Sequence, residues 1–218
     1  MEANLVQLSA FLKEGTRETH NQAESSDFQS RLANAELSLD KYGAYLGQLY
    51  LVHQLLEKGL AEDPICSKVA KETQFQTEFL RRDLVALGVN PSEIQPLPPT
   101  SEILYRIEQG TRSNPMSLIG HHYVLFGSKH GGKYIAAQIR KKFSFDADGS
   151  LYFDPYGANF QPQWVEFRTA MDNLETSEPV AQTILQAARE MFSYVGALGY
   201  ELSNEPSPLP DEAEVDSV

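Results

Sequence analysis

Gly120-His121-His122-Tyr123-Val124-Leu125-Phe126-Gly127-Ser128-Lys129-His130-Gly131-Gly132-Lys133-Tyr134 is an apolar, glycine-punctuated stretch inside what otherwise reads as one long helix from Pro115 to Phe143. A glycine in a helix interior costs about 1 kcal/mol relative to alanine, so bare backbone must be needed at Gly127, Gly131 and Gly132. Gly127 and Gly131 stand one helical turn apart, which clears one face of side chains and permits a bend. Such a face suits either the close approach of another helix or a flat ligand laid against the main chain.

Outward from this segment the chain reads as helices, with no internal repeat and no sustained alternation of polar and apolar residues. The pattern predicts a helix over Leu5 to Glu24, a short one capped by Ser26 or Asp27, and a long amphipathic one over Leu39 to Ala61. Thr73 to Leu87 follows, stopped by Gly88 and Pro91, then a loop at Pro96 to Pro99 and a helix over Ser101 to Gly110. Past Phe143, Asp146 to Gly157 is a turn-rich excursion, and helices over Pro162 to Leu174 and Pro179 to Leu202 complete an all-α, single-domain helical bundle. The domain is expected to span residues 1–202. Residues 203–218 hold five acids, three prolines and no base, and read as a disordered acidic tail.

A length of 218 residues suits one domain with a substantial core. The formal net charge is −12, of which the tail supplies five units, leaving −7 on the body. That balance excludes a nucleic-acid binder, which needs a basic footprint for phosphates. Arg140, Lys141 and Lys142 fit the cationic last turn of a helix and offer an acidic redox partner a place to dock. No apolar run reaches the roughly 20 residues of a membrane span, and Met1-Glu2-Ala3-Asn4 lacks a signal-peptide pattern, so a cytoplasmic protein is expected. The single cysteine, Cys66, has no partner for a disulfide and no neighbouring metal ligand, and reads as an inert residue at a helix start.

In the first helix His20 and Glu24 are one turn apart and can meet. A carboxylate on one imidazole nitrogen fixes the tautomer and leaves the other nitrogen free for a metal, although the same spacing also serves a plain surface pair. Arg17 and Lys13, one and two turns upstream, are either solvated charge or partners for ligand carboxylates. Among the other histidines, His53 reads as a core-edge or surface residue, His121 as facing a neighbouring helix, and His130 as pointing outward. Tyr42, Tyr45 and Tyr50 read as packing. A di-iron carboxylate bundle would carry Glu-x-x-His pairs, and none of the five histidines has a glutamate three residues before it.

At this point two segments carry a resemblance. Leu12 to Glu24 resembles the proximal helix of the heme oxygenases, in which the histidine ligates heme iron and the acid one turn later orients it. Tyr123 to Gly132 is similar to that family's distal helix, whose glycines lie over the heme face. Phe167-Arg168-Thr169-Ala170-Met171-Asp172 is similar to the region that places an arginine on a heme propionate, and Phe192 falls in a helix lining the pocket edge. The resemblance runs in order from about Leu5 to Leu202.

The resemblance implies a bundle that holds heme between a proximal and a kinked distal helix, with His20 as the iron ligand. It implies catalytic roles for Gly127, Ser128 and Gly131, and heme contacts from Lys13, Arg17, Glu24, His122, Gly132, Arg168 and Phe192. Animal-type members carry an aspartate after the first distal glycine, whereas Ser128 in a Gly-Ser pair resembles the bacterial branch and implies a rearranged water network for proton delivery. Where the family places a tyrosine and a lysine on the propionates, this chain has His122 and Trp164. The implied reaction is oxidative cleavage of heme, as both substrate and cofactor, to biliverdin, ferrous iron and carbon monoxide. Lys13, Arg17 and Arg168 follow the animal-type pattern and imply cleavage at the alpha position. Dioxygen is the co-substrate, and electrons come from an external ferredoxin or an NAD(P)H-dependent flavoprotein reductase, because the chain has no dinucleotide fingerprint and no cysteine set for an iron–sulfur cluster. A monomer is expected. The alternative is a non-catalytic heme-binding or sequestering protein of the same fold.

Overall fold

A computed structural model of the protein describes residues 6–204. They form eleven α-helices, with short 3-10 turns and no strand among the described residues. The helices are α1 (Leu8–Gly15), α2 (Arg17–Glu24), α3 (Asp27–Ala33), α4 (Leu39–Glu62), α5 (Cys66–Val69), α6 (Thr77–Ala86), α7 (Pro98–Ser113), α8 (Met116–Gly127), α9 (Lys129–Phe143), α10 (Phe160–Asp172) and α11 (Glu178–Asn204). The all-α reading holds. Helix α11 runs two residues beyond its expected end, and residues 205–218, where the acidic tail is expected, lie outside the described residues.

Local chemistry explains where the helices start. Ser26 accepts from the Gln29 backbone N–H at 3.3 Å and Ser38 from that of Lys41 at 3.3 Å, so both act as the N-caps their sequence suggests. Asp63 accepts from the backbone N–H groups of Ile65 and Cys66 at 2.9 and 2.8 Å, opening α5 with Cys66 as its first residue. The Cys66 thiol is buried, and burial with the nearby Asp63 carboxylate pushes its pKa up to about 12, which makes it a poor nucleophile. Helix α7 begins at Pro98, inside the segment read as a loop, because proline fits the first helical turn, where its missing N–H costs nothing.

Two single-helix readings divide. The first helix breaks at Thr16 (φ −106°, ψ −1°), whose hydroxyl donates to the Leu12 carbonyl at 2.8 Å; Arg189 Nε donates to the freed Gly15 carbonyl at 3.0 Å. The long glycine-bearing helix bends at Ser128, between α8 and α9, as a kinked distal helix requires.

Helices α8 and α11 form the most extensive pair of the bundle. Their backbones approach so closely at Gly120 that an added Cβ would stand 2.1 Å from the Ile184 carbonyl oxygen. Around them the core gathers Leu8, Leu12, Leu46, Leu49, Phe126, Phe167, Met171 and Met191, each with 1% or less of its surface exposed. Tyr42 and Tyr45 are buried as packing residues, and the Tyr42 hydroxyl donates to the Gly149 carbonyl at 2.7 Å.

Candidate functional site

Helix α3 contacts both α2 and α9, and α2 also packs on α11, so the helix of His20 and the glycine-bearing α9 share α3 as a neighbour. The His20 side chain keeps 49% of its surface exposed, with Nε2 3.5 Å from Glu24 Oε1, a loose contact that leaves Nδ1 free and that a turn of the ring would exchange. Phe192 on α11 meets the His20 ring edge-on, with centroids 5.6 Å apart. One turn after Phe192, Gly196 has open space where a side chain would stand. Gly196 was not singled out from sequence, although a glycine inside a long helix is itself a signal.

The three glycines of the kink divide by what their missing side chains would meet. A Cβ on Gly131 would meet nothing within 4 Å; one on Gly127 would rest 3.3 Å from the Trp164 ring; one on Gly132 would stand 1.8 Å from the Phe153 carbonyl oxygen. Gly131 and Ser128 are exposed and Gly127 half-exposed, whereas Gly132 is buried. Gly132 therefore serves close packing of α9 on the 150–157 excursion, and no part of it faces open space for a ligand. The Ser128 hydroxyl donates to the Leu125 carbonyl at 2.8 Å, and His130 Nδ1 lies 2.8 Å from the Gly127 carbonyl, so both polar side chains tie down the bend. His130 is exposed and packs edge-on against Phe160 and Trp164, as its outward reading requires.

The expected anchoring cations lie on the surface. Lys13 is exposed; Arg17 pairs with Glu14 at 2.9 Å, both side chains being about 70% exposed, a contact worth little and readily exchanged for a ligand carboxylate. Arg168 is exposed beside Tyr123, whose phenol it favours in the ionised form although burial dominates and raises that pKa.

His122 has a different place from the one its alignment implies. It is 1% exposed, stacked on Phe126 with ring centroids 5.4 Å apart, edge-on to Phe167, and its Nε2 lies 3.2 Å from Gln74 Oε1. The aromatic side chains of Phe126 on α8 and Phe167 on α10 enclose this imidazole. His121 is equally buried and faces the Ala187 backbone on α11.

Burial holds the His121 pKa at about 4, offset only in part by the nearby Ala187 backbone, and that of His122 at about 3. Both are neutral in the fold and titrate near 6.5 once unfolded, so the unfolded chain binds more protons at pH below about 6.5 and stability falls as pH drops from there toward 4. The slope is about 1.4 kcal/mol per pH unit for each histidine. Urea unfolding at pH 7 and pH 5 should show this loss, and His122→Gln should make the profile flatter; a pH-independent midpoint would refute the neutral, buried assignment.

One buried polar cluster missed from sequence centres on His53. His53, read as a core-edge or surface residue, is 1% exposed, with Nδ1 2.9 Å from Glu57 Oε1 and Nε2 3.4 Å from the Tyr152 hydroxyl. Glu57 also caps α6, accepting from the backbone N–H groups of Gln76 at 2.6 Å and Thr77 at 3.1 Å. Burial works against the charged Glu57 carboxylate, but the His53, Thr77 and Gln76 hydrogen bonds outweigh it and hold its pKa below the usual range. The signal was available: His53 and Glu57 repeat the spacing of His20 and Glu24.

The family profile described as "Heme oxygenase" matches residues 6–198 of the chain. Heme oxygenase 1 of Bos taurus is 24% identical over 195 residues, covering 85% of this chain and 68% of that protein. The crystal structure of heme oxygenase-1 from the cyanobacterium Synechocystis in complex with heme superposes with a TM-score of 0.82 at 22% identity, over 90% of this chain and 92% of that one. The structure of heme oxygenase from Leptospira interrogans gives a TM-score of 0.82 at 24% identity, over 90% of this chain and all of that one. At these identities the structural likeness shows the fold.

Proposed function

Because the chain belongs to the heme oxygenase family, we propose that it binds heme through His20 and cleaves it to biliverdin, ferrous iron and carbon monoxide, with dioxygen as co-substrate and electrons from an external ferredoxin or flavoprotein reductase. The observation that carries this reading is the half-exposed His20, paired with Glu24 and edged by Phe192, together with the bare, exposed backbone at Gly131 on α9, a helix that α3 joins to α2. No helix of the described residues is long and apolar enough to cross a membrane.

Heme supplies the redox-active iron and the macrocycle that is oxidised. The chain supplies the rest. His20 holds the iron on one side, and Glu24 sets the ring orientation and raises its basicity. Lys13, Arg17 and Arg168 would pair with the propionates, Arg17 by leaving Glu14, and their match to the animal-type pattern points to the alpha position for cleavage. Gly127 and Gly131 let the α8–α9 backbone crowd the far side, where a side chain would occupy the space dioxygen needs. Ser128, at the bend, holds water and passes protons without a strong acid beside the reacting centre.

Supplied with heme, dioxygen and an electron donor, the protein should lose its Soret band while a bilin absorption rises and iron becomes available to a chelator. Catalase should not prevent the conversion, which separates it from bleaching by free hydrogen peroxide. Ser128→Ala should slow it only in part. Tight heme binding with no bilin formed from several competent donors would replace this reading with heme sequestration.

A further inference from the structure

We propose that Gly196 is a specificity-determining residue, leaving room for the substituents on the edge of heme opposite its propionates; the inference rests on the heme-binding reading above. Glycine is the weakest helix former after proline, so one inside a helix needs a reason. Gly196 lies well within α11, which runs unbroken from Glu178 to Asn204, and its backbone is not left-handed. A Cβ on Gly199, three residues on, would stand 3.0 Å from Phe28 Cβ, and one on Gly120 would stand 2.1 Å from the Ile184 carbonyl oxygen, so close packing explains both. A Cβ on Gly196 would meet nothing within 4 Å, although the residue is half-buried. Among the α-helical glycines of the described residues only Gly131 shares this open space. The protein's own packing therefore gives no reason for a glycine at 196.

Pairings along α11 place Gly196 relative to the iron ligand. Gly15 lies at Leu185 and Arg189: a Cβ on Gly15 would stand 2.6 Å from Leu185 Cδ1, and Arg189 Nε donates to the Gly15 carbonyl at 3.0 Å. His20 follows at Phe192, with ring centroids 5.6 Å apart, and Phe28 follows at Gly199. Helices α1, α2 and α3 thus advance along α11 in its own direction, which puts Lys13 and Arg17 on the Leu185–Arg189 side of His20. Arg168 belongs to that side as well, since α10 packs on α1 and Asp172, one turn after Arg168, accepts from the Ser9 backbone N–H at 2.7 Å. Gly196 lies the other way, one turn or about 5.4 Å beyond Phe192 on the same face of α11.

Heme has the same two ends. Protoheme carries its propionates on two adjacent pyrroles and its vinyl groups on the other two, so holding the propionates at Lys13, Arg17 and Arg168 directs the vinyl edge toward the Gly196 end of the site. A side chain at position 196 would lean back over the preceding turn, toward Phe192 and the His20 ring that Phe192 meets, and would take the space of that edge. Gly196 thus sets how large a substituent the site admits there.

Ferric heme titrated without an electron donor reads affinity apart from turnover. Two hemes are compared: protoheme, and deuteroheme, in which hydrogens replace both vinyl groups. Gly196→Leu should weaken protoheme binding by about tenfold or more, and deuteroheme binding at least about fivefold less than that, the scale on which added carbons are felt in a filled site. Gly196→Ala should give the same order with a smaller ratio. The heme-free variants should unfold thermally at or above the wild-type midpoint, because the added carbons meet no atom and favour the helix. Equal loss of both hemes, or loss of neither, overturns the assignment of Gly196 to the substituent edge. A heme-free Gly196→Ala protein clearly less stable than the wild type overturns it too, since the glycine would then be a packing residue. A wild type that binds neither heme overturns the heme-binding reading itself, whereas failure of this inference alone shows as normal heme binding by the wild type and variants that do not tell the two hemes apart.

Discussion

A His20→Ala protein should lose the histidine-ligated heme spectrum and fall at least about a hundredfold in bilin formation, because ligand replacement removes more than the 10–100-fold effects typical of a ligand's hydrogen-bonding partner. Folding should survive. The His20 side chain is half-exposed and α2 buries none of its residues fully, so the substitution opens no cavity and alanine favours the helix. Glu24→Gln should be milder, about tenfold, since an amide still reaches the imidazole but no longer raises its basicity. Added imidazole should restore part of the spectrum of His20→Ala by filling the space the side chain left. A His20→Ala protein with unchanged spectrum and turnover would show that α2 does not supply the iron ligand, and would move the search to the remaining histidines. Of those, His53, His121 and His122 are 1% exposed, which leaves only His130 accessible.

The fold was legible because helix periodicity, caps and glycine stops all point the same way. Ser26 and Ser38 cap as read, and the apolar stripe of α4 is the face that is buried. Breaks were legible only in part. The bend at Ser128 announced itself through glycines, whereas the break at Thr16 depends on Arg189, distant in sequence, reaching the Gly15 carbonyl. The same distinction runs through the site. His20 and Glu24 are local partners on one helix and could be paired by spacing. His53 and Glu57 have equal spacing, but their importance comes from Tyr152, 99 residues from His53, and from the α6 backbone that Glu57 caps. His122 was placed by alignment at a propionate edge, yet aromatic neighbours from α8 and α10 close over it, and no one-dimensional pattern reveals which side of a nearly all-apolar helix meets them.

Adjacent glycines should give opposite outcomes, and this is the sharpest test of which part of α9 meets the substrate. Gly131→Leu adds a side chain where no atom stands within 4 Å, on an exposed part of α9. Stability should hold or rise by as much as about 1 kcal/mol from helix propensity. Heme conversion should nonetheless fall severely, since the leucine fills the space against which dioxygen must bend. Gly132→Ala adds one carbon, but that carbon would lie 1.8 Å from the Phe153 carbonyl oxygen, a backbone atom that cannot turn aside. The helix and the 150–157 excursion would have to separate, at a cost of about 1–3 kcal/mol or more. Its unfolding midpoint should drop, and the conversion that remains per folded molecule should exceed that of Gly131→Leu. Heme titration, thermal unfolding and turnover measured side by side separate the two. If Gly131→Leu kept full turnover, the open face of α9 would not be the face over the substrate, and the kink would be a packing device alone; if Gly132→Ala were as stable as the parent, the close approach of α9 to Phe153 would not exist in solution.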